Sequence, residues 1–114
     1  KLDNLTVIVD NNGLQIDGTS EEVMPTEPLD AKFAAFNWHV IKVNGHDYAA
    51  ILAALAEARQ TKGKPTMILL ATTKGKGVSF MENQAGWHGK APNEEQYQQA
   101  RQELVAALAE KEGK

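Results

Sequence analysis

The sequence predicts an α/β fold in which a parallel sheet is flanked by helices. Apolar stretches of strand length occur at residues 5–9, 40–43 and 66–73. Segments whose apolar residues recur at helical spacing follow each of these stretches. Strands that alternate with helices are typically joined by right-handed crossovers, which makes the sheet parallel.

The first predicted strand is residues 5–9, LTVIV, which run without a charge into Asp10, Asn11, Asn12 and Gly13. A short apolar run that ends at a turn signal is typical of a strand buried on both faces. Ligands of parallel sheets bind beyond the carboxyl ends of the strands, where these polar residues fall. Asn-Gly is also a common turn dipeptide, so an ordinary turn and a ligand site both remain open.

A polar stretch and a short helix are predicted next. Residues 14–24 form a polar loop that is long enough to suggest a functional role. Pro28 suits the first position of a helix, where a backbone N–H is not required. Leu29, Phe33 and Phe36 would share one face of this helix, which ends at Asn37.

The second predicted strand, residues 40–43, leads into a turn at residues 44–47 and then a helix at residues 48–59. Asp47 can cap this helix because its carboxylate accepts the first free backbone N–H groups. The apolar face of the helix would comprise Tyr48, Ile51, Leu52, Leu55 and Ala58.

The third predicted strand, residues 66–73, precedes a glycine-rich loop at residues 74–91. Asn93 would begin the last helix with Gln96 as its capping-box partner. The apolar stripe of that helix would comprise Tyr97, Leu104 and Leu108, with Ala100 beside them. In a parallel sheet the segments 10–14, 44–47 and 74–88 would all meet at one edge, which is the sequence-based argument for a site there.

Length and composition indicate a single domain, residues 1–114, that we expect to be the later part of a larger unit. The 42% hydrophobic and 24% charged residues are typical of a soluble globular protein. The net charge of −3 indicates neither nucleic acid nor an anionic membrane surface as a partner. The absence of cysteine excludes disulfides and thiolate chemistry, and a cytoplasmic location is the default expectation.

The polar residues at the predicted edge offer oxygen ligands and cations. The side-chain oxygen of Asn12 and a backbone carbonyl at Gly13 or Leu14 suit Mg²⁺, which needs further oxygens from carboxylates or phosphates. Asp10 is one candidate for such a carboxylate. Lys74 and Lys76 of the segment KGKG could face an anion, although the segment lacks the lysine-serine/threonine pair of phosphate loops. An ordinary solvated basic loop is the alternative.

Three histidines are candidates for proton chemistry. His88 lies between two glycines, which allow the backbone close approach to a ligand, and imidazole exchanges protons near neutral pH. His46 lies in the turn and could simply cap it, whereas packing or surface exposure is expected for His39. The sequence indicates no partner for His88, so a non-catalytic role also remains open for it.

Several segments together resemble the thiamine diphosphate-binding domain of transketolases, in particular the amino-terminal subunit of the two-chain type. The resemblance extends over essentially the whole chain. The matching segments are residues 1–18 (with VDNNGLQIDG), 27–29 (EPL), 36–38 (FNW), 43–47 (VNGHD), 72–77 (TTKGKG) and 87–92 (WHGKAP).

This resemblance implies thiamine diphosphate bound through Mg²⁺ (or Ca²⁺). Asn12 matches the side-chain metal ligand of the family, and Leu14 matches the residue whose carbonyl is a further ligand. His88 matches the catalytic histidine that faces the cofactor and the sugar donor. Lys74 falls at a cofactor-contacting position, and the lysine is more like the two-chain transketolases and deoxyxylulose-phosphate synthases. The carboxylate ligand of the family belongs to a Gly-Asp-Gly triplet that this sequence does not contain.

The implied activity is transfer of a two-carbon ketol unit between sugar phosphates, as in the pentose phosphate pathway. The resemblance implies a partner segment or carboxy-terminal subunit that supplies a pyrimidine-binding domain, and a dimer of such units. We therefore expect this chain alone to be inactive. The alternatives are a non-catalytic α/β scaffold module and part of an enzyme similar to deoxyxylulose-phosphate synthase.

Overall fold

Strands and helices alternate along residues 1–113, which the computed structural model describes. The elements in chain order are β1 (Thr6–Asn11), β2 (Leu14–Gln15), β3 (Gly18–Thr19), α1 (Ser20–Val23), α2 (Leu29–Ala35), β4 (His39–Asn44), α3 (Tyr48–Gln60), β5 (Thr66–Ala71) and α4 (Glu94–Glu112). A 3₁₀ turn at Ala85–Trp87 interrupts the long loop between β5 and α4.

The main sheet has the order β1-β5-β4, and both pairings in it are parallel. Thr66 of β5 lies level with Thr6 of β1 on one side and with His39 of β4 on the other. The same register brings Asn11, Ala71 and Asn44 to one edge. The predicted parallel α/β sheet is therefore confirmed, together with the convergence of three loops at its carboxyl edge.

Helices α2 and α3 lie on opposite faces of this sheet. The connection through α2 carries the chain from β1 past β5 to β4, and the connection through α3 returns it to β5. Right-handed crossovers in opposite directions require helices on opposite faces. The side chains of β4 agree, since Lys42 pairs with Asp30 of α2 while His39 bonds to Glu57 of α3.

The strand buried on both faces is β5, whose residues Thr66 to Leu69 are all buried. The expectation that residues 5–9 fill this role is wrong, because β1 is an edge strand with alternating exposure. Ile8 of β1 is 54% exposed on the α3 face of the sheet. The cause is that α3 packs over β4 and β5, where Ile41 and Ile68 form a cluster with its alanines.

Helix α3 begins and ends close to the prediction, and its predicted apolar face is confirmed in part: Ala58 is buried and Leu55 packs against the core cluster. Asp47 caps the helix by accepting hydrogen bonds from the N–H groups of Ala49 and Ala50. Ala54 and Ala58 are buried against the sheet, whereas Tyr48 and Leu52 are exposed. The small alanine side chains allow the closest approach to the sheet, which rotates the larger residues Tyr48 and Leu52 away from it.

Residues 14–24 are more regular than predicted. They form the antiparallel β2–β3 hairpin and the short helix α1. Thr19 and Glu22 form a capping box at the start of α1, a signal that sequence analysis missed. Helix α2 is close to its predicted position, and Asn37 just beyond it has a left-handed φ of 62°.

The last helix agrees with the prediction at its start. Asn93 and Gln96 form the predicted capping box, and α4 runs from Glu94 to Glu112. Its apolar side chains are about half exposed, including Leu104 at 49%. Among the described residues, no helix has the length and apolar character needed to cross a membrane.

Candidate functional site

A cavity of about 350 Å³ lies where β1, the β2–β3 hairpin and the glycine-rich loop meet. Its lining contains the four residues that sequence analysis singled out, namely Asn12, Leu14, Lys74 and His88. Gln15 and Ile16 complete the lining, and neither was predicted. Residues more than 60 positions apart in the chain therefore surround one space at the carboxyl edge of the sheet.

The side chain of Asn12 is oriented by the backbone two residues further on. Its Oδ1 atom accepts a hydrogen bond of 3.0 Å from the N–H of Leu14. This is the Asx-turn arrangement, in which an asparagine side chain replaces a backbone carbonyl. The amide oxygen keeps a second lone pair, since a carbonyl oxygen has two.

The β2–β3 hairpin directs the carbonyl of Leu14 away from β3. Leu14 lies opposite Thr19, and the neighbouring Ser20 N–H donates to the Gly13 carbonyl. In an antiparallel ladder this bond identifies Leu14 and Thr19 as a non-hydrogen-bonded pair. The N–H and carbonyl of Leu14 then both point to the side on which Asn12 Oδ1 lies, so two neutral oxygens are available there.

Neighbouring polar residues of β1 point elsewhere. Asp10 accepts a short hydrogen bond from the hydroxyl of Thr72, and Asn11 donates one of 2.7 Å to Glu27. Neither residue lines the cavity, so the structure gives no support to Asp10 as the missing carboxylate. Within residues 1–113 there is no group of three or more His, Cys, Asp or Glu side chains that could hold a metal on its own.

The two lysines at the start of the glycine-rich loop have different surroundings. Lys74 lines the cavity, whereas Lys76 forms an ion pair of 3.1 Å with Glu82. Glu82 also accepts the backbone N–H of Gly77, and this hydrogen bond and then Lys76 hold its pKa below the ordinary 4.5. The anion facing Lys76 is thus supplied by the loop itself, which leaves Lys74 as the cation of this loop at the cavity.

The loop closes on itself just after Lys74. The Lys74 carbonyl accepts the N–H of Asn83, at 2.9 Å. Gly75 has φ of 71°, and a Cβ there would lie 2.5 Å from the carbonyl oxygen of Met81. Only glycine fits this crossing of two backbone segments.

His88 is held in position through its backbone and the preceding tryptophan. Its N–H donates to the Ala85 carbonyl and so closes the 3₁₀ turn. Trp87 donates from Nε1 to the Phe80 carbonyl and packs on the Phe80 ring. The imidazole of His88 is exposed, and among residues 1–113 no hydrogen bond engages its ring.

The other two histidines make specific contacts. His46 accepts the backbone N–H of Thr73 through Nε2, at 2.7 Å, and so does more than cap its own turn. His39 bonds to Glu57 at the amino end of β4, away from the cavity. The contact of His46 could not be found from sequence, because it joins segments 27 residues apart.

The fold and the cavity define a class of protein: a parallel α/β domain with a candidate ligand site at the carboxyl edge of its sheet, where amide and carbonyl oxygens, a lysine and a histidine line one cavity. The comparison with protein families makes the class specific. The chain belongs to the family described as transketolase, thiamine diphosphate binding domain, whose model matches residues 1–111.

Individual relatives agree with this assignment. The chain is 45% identical over 104 residues to an apulose-4-phosphate transketolase subunit of Phocaeicola vulgatus, covering 91% of the chain and 37% of that protein. It is 44% identical over 113 residues to the 6-deoxy-6-sulfo-D-fructose transketolase subunit SqwG of Clostridium sp. strain MSTE9, covering 99% and 39%. The crystal structure of transketolase from Campylobacter jejuni superposes with a TM-score of 0.83 at 34% identity, over 92% of the chain and 16% of that protein.

The chain therefore spans less than two fifths of the length of these curated relatives.

The residues at the cavity fit part of a magnesium diphosphate site. Asn12 Oδ1 and the Leu14 carbonyl are hard, neutral oxygens on one side of the backbone. Mg²⁺ binds six oxygen ligands, and phosphate oxygens and a carboxylate are commonly among the six.

Proposed function

We propose that this protein is part of a transketolase that depends on thiamine diphosphate and Mg²⁺ and transfers a two-carbon ketol unit between sugar phosphates. The observation that carries the proposal is the shared cavity. Asn12, Leu14, Lys74 and His88 belong to three separated motifs, and they line one space of about 350 Å³. Family membership supplies the cofactor that such a space would take.

Asn12 and Leu14 would hold the metal through Oδ1 and the backbone carbonyl. The Asx turn fixes Oδ1 before the metal binds, so little reorganisation is needed on binding. Two neutral oxygens bind Mg²⁺ weakly, and a carboxylate from another segment would supply the negative charge. Lys74 would face the negative charge of the diphosphate, since Lys76 is already paired with Glu82.

His88 would move protons at the reacting sugar. Its ring is exposed at the cavity and makes no hydrogen bond within residues 1–113, so both nitrogens are open to a substrate. When bound, the cofactor supplies the nucleophile and the electron sink for cleavage of the carbon–carbon bond. The protein contributes binding, orientation and proton transfer at His88 Nδ1 or Nε2.

Further segments are required for activity in this proposal. Both of these relatives are named as transketolase subunits, which supports an assembly with further subunits. In our proposal the assembly includes a pyrimidine-binding partner and is a dimer of such units. The sugars named for these relatives differ, so the substrate class is sugar phosphates and related acidic sugars. We place the reaction in cytoplasmic sugar interconversion of the pentose phosphate type.

The test is thiamine diphosphate binding by the full-length protein assembled with its partner, with Mg²⁺ and with a chelator. We expect saturable binding that the chelator abolishes, and ketol transfer from a ketose phosphate to an aldose phosphate. No binding at all in the complete assembly would favour the non-catalytic scaffold instead, and binding that the chelator does not affect would contradict the magnesium site.

A further inference from the structure

A turn outside the cavity contacts the residue next to Lys74 through a histidine. His46 Nε2 accepts the backbone N–H of Thr73 at 2.7 Å, and Thr73 directly precedes Lys74. The turn at residues 44–47 connects β4 to α3, whereas Thr73 follows β5. This hydrogen bond therefore joins two of the three loops at the carboxyl edge.

The turn itself is fixed independently of the glycine-rich loop. The N–H of Gly45 donates to the Ala71 carbonyl at 2.8 Å, and Asn44 Oδ1 accepts the N–H of His46 at 2.9 Å. A Cβ at Gly45 would overlap the methyl group of Thr72, so the close approach depends on glycine. With the backbone on both sides of His46 held in this way, the imidazole provides a fixed acceptor for the glycine-rich loop.

The hydrogen bond also defines the protonation state of His46. A backbone N–H can only donate, so Nε2 must carry a lone pair and the proton must lie on Nδ1. An imidazolium ring has no acceptor and would lose the contact with Thr73. The contact therefore exists only with an uncharged ring.

We propose that uncharged His46 is a positioning residue that holds Lys74 at the cofactor cavity by accepting the Thr73 N–H. The inference rests on the proposed function, because it takes Lys74 as a contact of the bound diphosphate. His46 itself does not line that cavity. It acts through the hydrogen bond that it accepts from the backbone N–H of Thr73, the residue that directly precedes Lys74.

Charged groups lie near His46 on several elements. Glu82 of the glycine-rich loop is paired with Lys76 and is close enough to be affected by a charge on His46. His46 also lines a second cavity, of about 570 Å³. Tyr48 of α3, Lys76 of the loop and Lys111 of α4 line this second cavity together with His46, and Asp47 follows His46 in the turn.

The experiment compares His46→Leu and His46→Gln in the full-length, assembled enzyme by titration with thiamine diphosphate and Mg²⁺. Leucine removes the acceptor, and glutamine restores one through Oε1. We expect leucine to weaken cofactor binding about tenfold, the effect of losing a hydrogen bond worth about 1.4 kcal/mol. Glutamine should retain affinity close to wild type. His39→Leu is the matched control, since His39 contacts Glu57 at the opposite end of the sheet.

A double-mutant cycle tests the route through Lys74. In a Lys74→Ala background, His46→Leu should add no further loss, because the residue it positions is gone. If the leucine variant does not fold, the comparison of His46→Gln with wild type decides the matter: retained cofactor affinity supports the inference, and a loss of about tenfold overturns it.

Four results would overturn the inference. In three of them the proposed function survives, because Asn12→Ala still weakens binding: His46→Leu binds as well as wild type, glutamine fails as badly as leucine, or His46→Leu weakens binding as much in the Lys74→Ala background as it does alone. If Asn12→Ala leaves binding unchanged as well, the proposed function fails and this inference fails with it.

Discussion

His88 is the residue at the cavity to which we assign proton transfer in the proposed reaction. The 3₁₀ turn and the Trp87 contact to Phe80 position its backbone, while the ring stays exposed. We expect His88→Ala to lower kcat about 100-fold or more, the range of a lost proton-transfer group. Cofactor affinity should change far less, because the proposed metal and diphosphate contacts lie on Asn12, Leu14 and Lys74. Steady-state kinetics and cofactor titration measure the two effects.

His39→Ala is a suitable control for His88→Ala. His39 is also partly exposed, but it bonds to Glu57 at the amino end of β4. Its loss should leave kcat unchanged. If His88→Ala turns over as fast as His39→Ala, His88 has no catalytic role.

Individual site residues could be predicted from sequence where a short motif carries them. Asn12 follows a strand-like run, and His88 lies between glycines, so both positions are visible in the sequence. Gln15, Ile16 and the contact of His46 could not be predicted in this way. Whether Gln15 and Ile16 reach the cavity depends on the β2–β3 hairpin, and the His46 contact depends on how the turn packs against Thr73.

The glycine-rich loop is held by carboxylates at two points. Glu82 accepts the Gly77 N–H within the loop, and Glu103 of α4 accepts both the N–H and the hydroxyl of Ser79. These hydrogen bonds lower the pKa of both carboxyl groups below the ordinary 4.5. The loop that carries Lys74 and His88 is thereby attached to α4 as well as to itself.

The lowered pKa of Glu82 makes the loop sensitive to acid in a defined direction. Because the folded-state pKa lies below the unfolded 4.5, the stabilisation is complete above about pH 4.5 and is lost as the pH falls through the lower folded value. Carbon-13 NMR of the Glu82 carboxyl group should give a midpoint below 4.5. A midpoint at or above that value would mean that the Gly77 and Lys76 contacts are not formed in solution.

Strand and helix positions were largely predictable, whereas their burial was not. Capping signals at Asp47 and Asn93 and the apolar stretches located α3, α4 and the three parallel strands. The burial of β1 was predicted wrongly because it depends on strand order. An apolar run has the same residue pattern whether it forms the central strand β5 or the edge strand β1.

The whole molecule is extended for its length. Its radius of gyration is 17.2 Å, against about 13 Å for a compact chain of this size. Apolar side chains remain exposed on β1, α3 and α4, including Ile8, Leu52 and Leu108. Burial against further protein would remove this apolar surface from water and stabilise the fold.

An isolated chain of residues 1–114 should therefore be inactive. Among the described residues no carboxylate lines the proposed magnesium site, and part of the apolar surface is uncovered. We expect no ketol transfer from this chain alone and full activity only from the complete assembly, measured at equal concentrations of polypeptide. Turnover by the isolated chain would show that the cavity is sufficient by itself.

Adjacent asparagines at the end of β1 provide the most direct test of the central claim. Asn12 lines the cavity and bonds to the Leu14 N–H, whereas Asn11 donates to Glu27 on another side. In the assembled enzyme, calorimetric titration with thiamine diphosphate and Mg²⁺ should show affinity at least about tenfold weaker for Asn12→Ala. Asn11→Ala should bind as wild type does. Equal cofactor affinity in wild type and in Asn12→Ala would contradict the assignment of this cavity as the magnesium diphosphate site.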